Sequence, residues 1–313
     1  MSIPFSVVIL SLNEAVNIGE CLESASGVDE IFVVDSGSTD ATVAIAAAHG
    51  AHVAVNPFAS FGQQRNWAHD RLPLAHDWVL HLDADERLTP ALLEEARAAV
   101  FADDGSLAGF YVPERTLLRG RWLRRAGQYP RYQARLVHRR RMSFVDHGHG
   151  QREASALPFG TLSSPYDHHA FSHGTEAWLR KHVAYAAREV KQVLDASVRT
   201  VPLSTLWSSD RIAARRAAKY WAMRMPFRPQ LRWFQIMIAN GGILDGRAGL
   251  EYARMMKVFQ EMIDLCLHEA RDAYNRPTLR LESPSADLGD RRGPESNFPN
   301  QPVTDLRERV SRT

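Results

Sequence analysis

The sequence has few cysteines, no long apolar run and little net charge, and each shortage excludes a class of protein. Its two cysteines, Cys21 and Cys266, are too few and too far apart for a disulfide framework or a zinc site, so a reducing compartment fits best. No stretch approaches the roughly 18 apolar residues that a transmembrane helix needs. The formal net charge is only +2, which gives no electrostatic case for nucleic acid as a partner.

The composition is that of a globular protein. The chain has 313 residues, of which 45% are hydrophobic and 24% are charged, so it can form one large domain or two small ones. Its start, Met-Ser-Ile-Pro-Phe, lacks the basic segment and apolar run of a signal peptide. We therefore expect a cytoplasmic protein, with peripheral contact at the inner face of the cell membrane left open. The oligomeric state cannot be read from the sequence.

In the first hundred residues, short β-branched runs alternate with helical segments. Strands are predicted at 5–11, 30–35, 51–55 and 77–83, and helices at 15–26, 40–49, 61–71 and 90–101. This alternation predicts an α/β fold with a mostly parallel sheet and flanking helices. Ligands of such sheets bind beyond the carboxyl ends of the strands, so the polar residues there are the first candidates for a site.

After residue 105 the chain has three further regions of different predicted structure. Strands are predicted at 109–113 and 135–138, and helical periodicity follows at 178–194 and 231–268. We therefore predict a first domain over 1–173, with halves 1–105 and 106–173, and a helical extension over 174–275. The proline-rich, polar segment 276–313 is predicted to be a disordered tail.

Two aspartates, Asp83 and Asp85, follow the apolar run Trp78-Val-Leu-His-Leu. Residues i and i+2 of an extended chain point to the same side, so both carboxylates are expected to converge on one cation. Hard cations such as Mg²⁺ are often held by one or two carboxylates together with substrate phosphates. The segment is therefore predicted to hold a metal and a diphosphate, although a solvated turn carries the same charges.

The first two strands also end in polar residues, in Ser11-Leu-Asn-Glu14 and Asp35-Ser-Gly-Ser-Thr39. Gly37 permits a tight turn, and the free N–H groups at the start of the next helix suit a phosphate or a nucleotide edge. A capped turn with nothing bound explains each segment alone. Three polar strand ends at one sheet edge predict a single binding site.

The order and spacing of these segments resemble the family 2 glycosyltransferases with the GT-A fold. The matching text is SVVILSLNEAVNIGECLES, EIFVVDSGSTDAT, FGQQRNWA and DWVLHLDADERL. A looser resemblance to bacterial lipopolysaccharide core and exopolysaccharide glycosyltransferases continues through YQARLVHRR, VDHGHGQRE and GGILDGRAGLEYA. The resemblance implies a GT-A fold and an inverting, metal-dependent transferase. Such an enzyme moves a sugar from a nucleotide diphosphate, commonly UDP, to a hydroxyl of a glycan or lipid-linked acceptor.

The resemblance also implies a donor-binding half at 1–105, an acceptor half at 106–173 and a set of site residues. Those expected at the donor nucleotide sugar are Leu12, Asn13, Glu14, Asp35, Ser36, Gly37, Arg65, Asn66, Asp83, Ala84 and Arg135. The family's aspartate matching Asp35 binds the nucleobase. Mg²⁺ or Mn²⁺ is expected at Asp83 and Asp85, with His168 or its neighbour His169 completing the ligand shell. Arg135, like Arg131, is a phosphate candidate because guanidinium gives bidentate bonds, although surface charge explains it equally well.

The general base is the least defined residue of this set. The acceptor hydroxyl needs a base within hydrogen-bond reach, and many relatives carry His-Glu or Glu-Asp at this point. Here the text is Asp146-His-Gly-His-Gly-Gln-Arg-Glu153, which departs from that pattern. Asp146 and Glu153 are the leading candidates, with His149 behind them because imidazole titrates near neutral pH.

Three other functions share features with this sequence. A haloacid-dehalogenase-like phosphohydrolase also places Asp-x-Asp after a strand, but its loop usually continues with Thr or Val where this chain has Arg87. A nucleotidyltransferase usually has a glycine-rich basic signature near its start, which SLNEAVNIG lacks. A degenerate sugar-nucleotide-binding or scaffold protein stays open because of the unusual base region.

The helical extension mixes aromatic residues with arginines. Trp207, Trp221, Phe227, Trp233 and Phe234 are interleaved with Arg215, Arg216, Arg224, Arg228 and Arg232. This mixture suits an interfacial surface facing anionic lipid. A helical core with arginines on its outer face gives the same pattern, and we slightly favour that interpretation.

Overall fold

The protein is an α/β structure followed by a helical region. The computed structural model describes residues 4–147, 150–196, 201–210 and 227–275, and single positions between 210 and 227. One compact unit of the chain ends at Asp272. His149, the segment 276–313 and Arg215, Arg216 and Arg224 lie outside the described residues, so the predictions made for them are not addressed.

Strands and helices alternate up to residue 101. The strands of the described region are β1 (Ser6–Ser11), β2 (Ile31–Asp35), β3 (His52–Val55), β4 (Trp78–Asp83), β5 (Glu86–Arg87), β6 (Gly109–Leu118), β7 (Arg121–Trp122), β8 (Arg131–His138), β9 (Ser143–His147), β10 (Gly150–Ala154), β11 (Phe159–Thr161) and β12 (Tyr166–His168). The helices are α1 (Ile18–Ser24), α2 (Thr42–Ala48), α3 (Phe61–Arg71), α4 (Pro90–Phe101), α5 (Gly174–Ala196), α6 (Arg228–Phe234) and α7 (Gly246–Asn275). The α/β prediction is confirmed, and every element predicted before residue 102 is present.

The main sheet has the strand order β3-β2-β1-β4-β8-β6-β12-β5. Its first four strands are parallel, as predicted, whereas β8 runs antiparallel to both β4 and β6. The register sets Ser11 beside Asp35 and Leu10 beside Asp83. The ends of β1, β2 and β4 therefore form one edge, which confirms the shared rim predicted from the sequence.

The central strand β1 is buried along its whole length, because helices cover both faces of the sheet. On one face Val7 and Ile9 pack in a core with α1 and α4. On the other face Val8 and Leu10 pack against Ala68 of α3. Alternate side chains of Val7–Leu10 thus fill two cores, which explains why these four positions are all apolar.

Two helices begin at side-chain caps. The Ser60 hydroxyl accepts the N–H of Gln63 at the start of α3, and the Thr89 hydroxyl accepts the N–H of Leu92 at the start of α4. Pro90 occupies the first turn of α4, where its missing N–H leaves no hydrogen bond unmade. The bounds of both helices agree with the prediction.

The helical region differs from the prediction in one respect. The periodicity over 231–268 predicted continuous helical structure, but α6 ends at Phe234 and α7 begins at Gly246. A wider turn over Gln235–Ala239 leads to Gly241, whose φ of 73° lies in the left-handed region that ends a helix. Of the described helices, none combines the length and apolarity needed to cross a bilayer. The predicted division of the chain at residue 173 stays a prediction.

Candidate active site

The turn after β2 is organised by the carboxylate of Asp35. One oxygen accepts the backbone N–H groups of Gly37 and Ser38 at 2.8 and 2.7 Å, and the other accepts the hydroxyls of Ser11 and Ser38 at 3.1 and 2.5 Å. Asp35 is only 1% exposed, and burial opposes its charge, yet these hydrogen bonds lower its pKa. The left-handed φ of 99° at Gly37 permits this tight turn. Asp35 therefore holds the loop after β2 in place through buried hydrogen bonds.

The loop after β1 is bonded to the loop after β2. The backbone N–H of Asn13 donates to the Ser38 hydroxyl at 2.8 Å, and the Asn13 side-chain oxygen accepts the N–H of Thr39 at 2.8 Å. Glu14 contacts His173 at 2.9 Å, between its carboxylate and the ring Nε2. The loops after β1 and β2 are thus joined by hydrogen bonds, and Leu12, Asn13 and Glu14 line a cavity beside them.

Asp83 lies between two buried arginines. Its oxygens accept from Arg65 at 2.8 Å and from Arg135 at 3.0 Å. Burial favours the neutral acid, but Arg135 and then Arg65 outweigh it and hold the pKa of Asp83 well below its ordinary value. Arg135 is only 2% exposed and also donates to Glu86, whose pKa burial raises to about 8. Arg135 therefore acts as an internal counter-ion, and the alternative of a surface charge is wrong.

Asp85 pairs with a histidine instead. His168 Nε2 lies 3.3 Å from an Asp85 oxygen, and His168 Nδ1 lies 2.8 Å from Glu114. Strand β12 pairs with β5, with His168 opposite Glu86, and this register brings the ring beside Asp85. Burial opposes the imidazolium ion, but the hydrogen bonds to Asp85 and Glu114 raise the pKa of His168 well above its usual value.

Glu114 is a site residue that the sequence analysis missed. It is 2% exposed, and its carboxylate also accepts from Thr116, Arg131 and Gln133 at 2.8, 3.1 and 3.0 Å. Burial would raise its pKa, but His168 and then Arg131 lower it to about 2. A charged residue within the apolar run that begins at Gly109 was the available signal.

Two cavities border the Asp83-Ala-Asp85 segment. The larger, of about 540 Å³, is lined by Asp85, His168 and the 12–14 loop, and also by Trp178 and Tyr252. The smaller, of about 370 Å³, is lined by Asp83, Arg65, Tyr111 and Glu153 among others. The two aspartates therefore line different cavities, and each carboxylate has partners of its own, whereas the sequence predicts that both converge on one cation.

The other predicted residues take varied positions. Ala84 is buried and its N–H donates to the Leu10 carbonyl at 3.1 Å, while the Ser36 N–H donates to the Ser11 carbonyl at 2.9 Å. Asn66 uses both ends of its amide on the backbone of Phe144, at 2.8 and 2.9 Å, and lines neither cavity. Asn66 therefore anchors the β9–β10 hairpin to α3 in this structure.

Two of the proposed bases are described and differ in position. Glu153 accepts a hydrogen bond from the Tyr111 hydroxyl inside the smaller cavity. Asp146 is exposed and lies over the first turn of α3, where it accepts from the Gln63 amide at 3.2 Å. Geometry thus places Glu153, and not Asp146, in a cavity that reaches the Asp83 carboxylate.

The first half of the chain is similar to known proteins. Residues 6–155 match the model of Glycosyl transferase family 2. The chain is 43% identical over 91 residues to an uncharacterized glycosyltransferase of Rickettsia felis, covering 29% of this chain and 31% of that protein. It is 33% identical over 123 residues to the lipopolysaccharide core biosynthesis glycosyltransferase LpsC of Rhizobium meliloti, covering 38% of this chain and 44% of that protein.

Solved structures give a partial match as well. One is the glucosyl-3-phosphoglycerate synthase of Mycobacterium tuberculosis in complex with Mn²⁺, UDP-glucose and phosphoglyceric acid. It is 26% identical at a TM-score of 0.30, over 36% of this chain and 43% of that one. The chain thus spans less than half the length of these relatives. The segment 6–155 that matches the family model contains Asp35, Asp83 and Asp85.

Proposed function

We propose that the protein is an inverting glycosyltransferase that uses a divalent cation and a nucleotide diphosphate sugar, most simply a UDP-sugar. The observation that carries the proposal is the pairing of Asp85 with His168 in the lining of the larger cavity, which the 12–14 loop also lines. A carboxylate and an imidazole thus converge beside the loops after β1 and β2, where the family binds its donor. The acceptor is proposed to be a hydroxyl of a glycan or lipid-linked glycan, as the similarity to the lipopolysaccharide core enzyme suggests.

The residues present fit a divalent cation that arrives with the donor. Glu114 engages Nδ1 of His168, which leaves Nε2 directed at Asp85, and histidines that bind metals commonly have such a carboxylate partner. Among the described residues, no three acidic, histidine or cysteine side chains form a complete metal site. We therefore propose that a bound cation displaces the proton between His168 and Asp85, so that both side chains supply ligands and diphosphate oxygens complete the shell. A cation held there neutralises the charge that develops on the leaving diphosphate.

Asp83 is proposed to contact the donor from the smaller cavity. Its ion pairs with Arg65 and Arg135 hold its carboxylate at the border of the smaller cavity. A ribose hydroxyl is a suitable partner for a carboxylate in that position, as the family resemblance implies. Direct metal ligation by Asp83 stays a prediction, and it requires the carboxylate to leave one arginine.

Glu153 is the proposed base. Inverting transfer needs the base and the leaving group on opposite sides of the reacting carbon. Glu153 lines the smaller cavity that Asp83 borders, so of the two described candidates it is the carboxylate that lies within reach of that cavity. Changing Glu153→Gln should preserve UDP affinity and abolish turnover, while Asp146→Asn should retain turnover. Equal activity in the wild type and Glu153→Gln would remove Glu153 from this role.

Calorimetry with UDP in the presence and absence of Mn²⁺ tests the metal site. We expect Mn²⁺ to strengthen UDP binding to the wild type and to have no such effect on Asp85→Ala. Asp104→Asn is the matched control, because Asp104 is an exposed aspartate that only caps the N–H of Ser106. Unchanged metal-dependent binding in Asp85→Ala would contradict the assignment. Donor binding without release of nucleoside diphosphate would instead support the degenerate binding protein.

A further inference from the structure

The surface formed by α6 and the turns after it is apolar on its outer side. Phe227, Leu231, Phe234 and Ile238 follow one another at helical spacing and are 73%, 43%, 55% and 50% exposed. The opposite side of this segment is buried, with Ile236 and Met237 packed on the β6–β7 region. The expectation of a helical core therefore holds for one side of the segment only.

The next turn extends this apolar stripe. Ile243 and Leu244 are 60% and 74% exposed in the short turn Gly242–Asp245. The turn is held rigidly, because the Asp245 carboxylate accepts the backbone N–H groups of Arg125 and Ala126 at 2.9 and 2.7 Å. The aliphatic side chains are thus presented by a fixed turn.

A basic cavity adjoins the same turn. It has a volume of about 180 Å³ and is lined by Leu118, Arg119, Arg121, Arg247, Ala248 and Glu251. Arg119 and Arg247 both contact Glu251, at 3.3 and 3.2 Å, and Arg121 also lines the cavity, so its lining holds three arginines and one carboxylate. The cavity therefore has a surplus of positive charge and the fork-shaped donors that bind phosphate.

We propose that this surface, from Phe227 to Leu244 with the arginine cavity beside it, docks on an anionic lipid bilayer. The apolar stripe would enter the interface between headgroups and acyl chains, and the cavity would receive a lipid phosphate. A second copy of the chain is a poorer occupant, because the arginines of the two copies would face each other.

The position of the surface gives docking a consequence. Ala248 and Glu251 of α7 line the arginine cavity, and Tyr252 and Met256 line the larger cavity of the candidate active site. Four residues of helix are about 6 Å long, so the cleft opens roughly one helical turn from the proposed bilayer contact. A lipid-linked acceptor would reach the cleft without leaving the membrane. The docking surface itself does not depend on the proposed function, because vesicle binding requires neither donor nor metal.

Vesicle flotation tests the proposal with the full chain. Phosphatidylcholine vesicles are compared with vesicles in which phosphatidylglycerol replaces part of that lipid, at low and high salt. We expect flotation only with the anionic vesicles, and weaker flotation at high salt. Arg121→Glu and Arg247→Glu should each lower the partition coefficient about fivefold or more. The double change of Ile243 and Leu244 to Glu should reduce binding to background.

Phe101→Glu is the matched control. Phe101 is 63% exposed, a fraction similar to the 60% of Ile243. It precedes β6 in the chain, whereas the docking surface adjoins the end of that strand. It should float like the wild type, and thermal melting should show that all variants are folded. Binding that is equal for both vesicle types, or unchanged in the Ile243 and Leu244 variant, would overturn the proposal. A dimer in solution that the Ile243 and Leu244 variant dissociates would also overturn the proposal.

Discussion

Replacing Asp35 by asparagine tests whether this carboxylate stabilises the turn after β2. The amide oxygen can keep the N–H groups of Gly37 and Ser38, and the amide nitrogen can donate to the hydroxyls of Ser11 and Ser38. What is lost is the charge on the acceptor. Hydrogen bonds to a charged group contribute about 1 kcal/mol more than neutral ones, so two backbone contacts predict a loss of about 2 kcal/mol.

The pH dependence of this loss separates charge from shape. Hydrogen bonding lowers the pKa of Asp35 in the folded protein, so its contribution to stability is present above the unfolded pKa of about 4. That contribution is lost as the pH falls through the folded pKa. Urea unfolding should therefore show a gap of about 2 kcal/mol between wild type and Asp35→Asn at neutral pH that narrows below about pH 4. A gap that is absent at pH 7, or that does not change with pH, would refute the reasoning.

Three further changes probe the site and its support. Arg135→Met leaves Asp83 and Glu86 short of a buried counter-ion and should cost about 3–5 kcal/mol in urea unfolding, whereas Arg97→Met, on an exposed helix, should cost about 0.5 kcal/mol or less. Glu114→Gln should weaken Mn²⁺-dependent UDP binding about 10- to 100-fold in calorimetry, and unaltered binding would deny its support of His168. Thr89→Ala should destabilise the protein by about 1 kcal/mol through loss of the α4 cap, and Thr89→Ser, which keeps the hydroxyl, should not.

The donor half was predictable because its signals are local. The bounds of α3 and α4 follow from Ser60, Thr89 and Pro90, which act within one turn of the chain. The apolar run of β1 is likewise a property of consecutive residues. The shared edge of β1, β2 and β4 then follows from parallel pairing alone.

The second half depends on contacts between distant residues. The strand predicted at 109–113 continues to Leu118 as β6, although Glu114 and Thr116 interrupt the apolar pattern. These polar residues are buried because β8 and β12 supply partners for them, such as Arg131 and His168. No local rule anticipates partners that lie 17 and 54 residues away in the sequence. The predicted strand therefore stops at Pro113, just before Glu114.

The two aspartates after β4 show what a local rule leaves out. The expectation that Asp83 and Asp85 converge relies on strand alternation, but β4 ends at Asp83 and β5 begins at Glu86. Beyond the strand end, the available counter-ions decide where each carboxylate points. Arg65 and Arg135 hold Asp83, while the pairing of β12 with β5 brings His168 to Asp85. Since buried charges are costly unless they are paired, ion pairing from distant elements overrides the spacing of two residues in sequence.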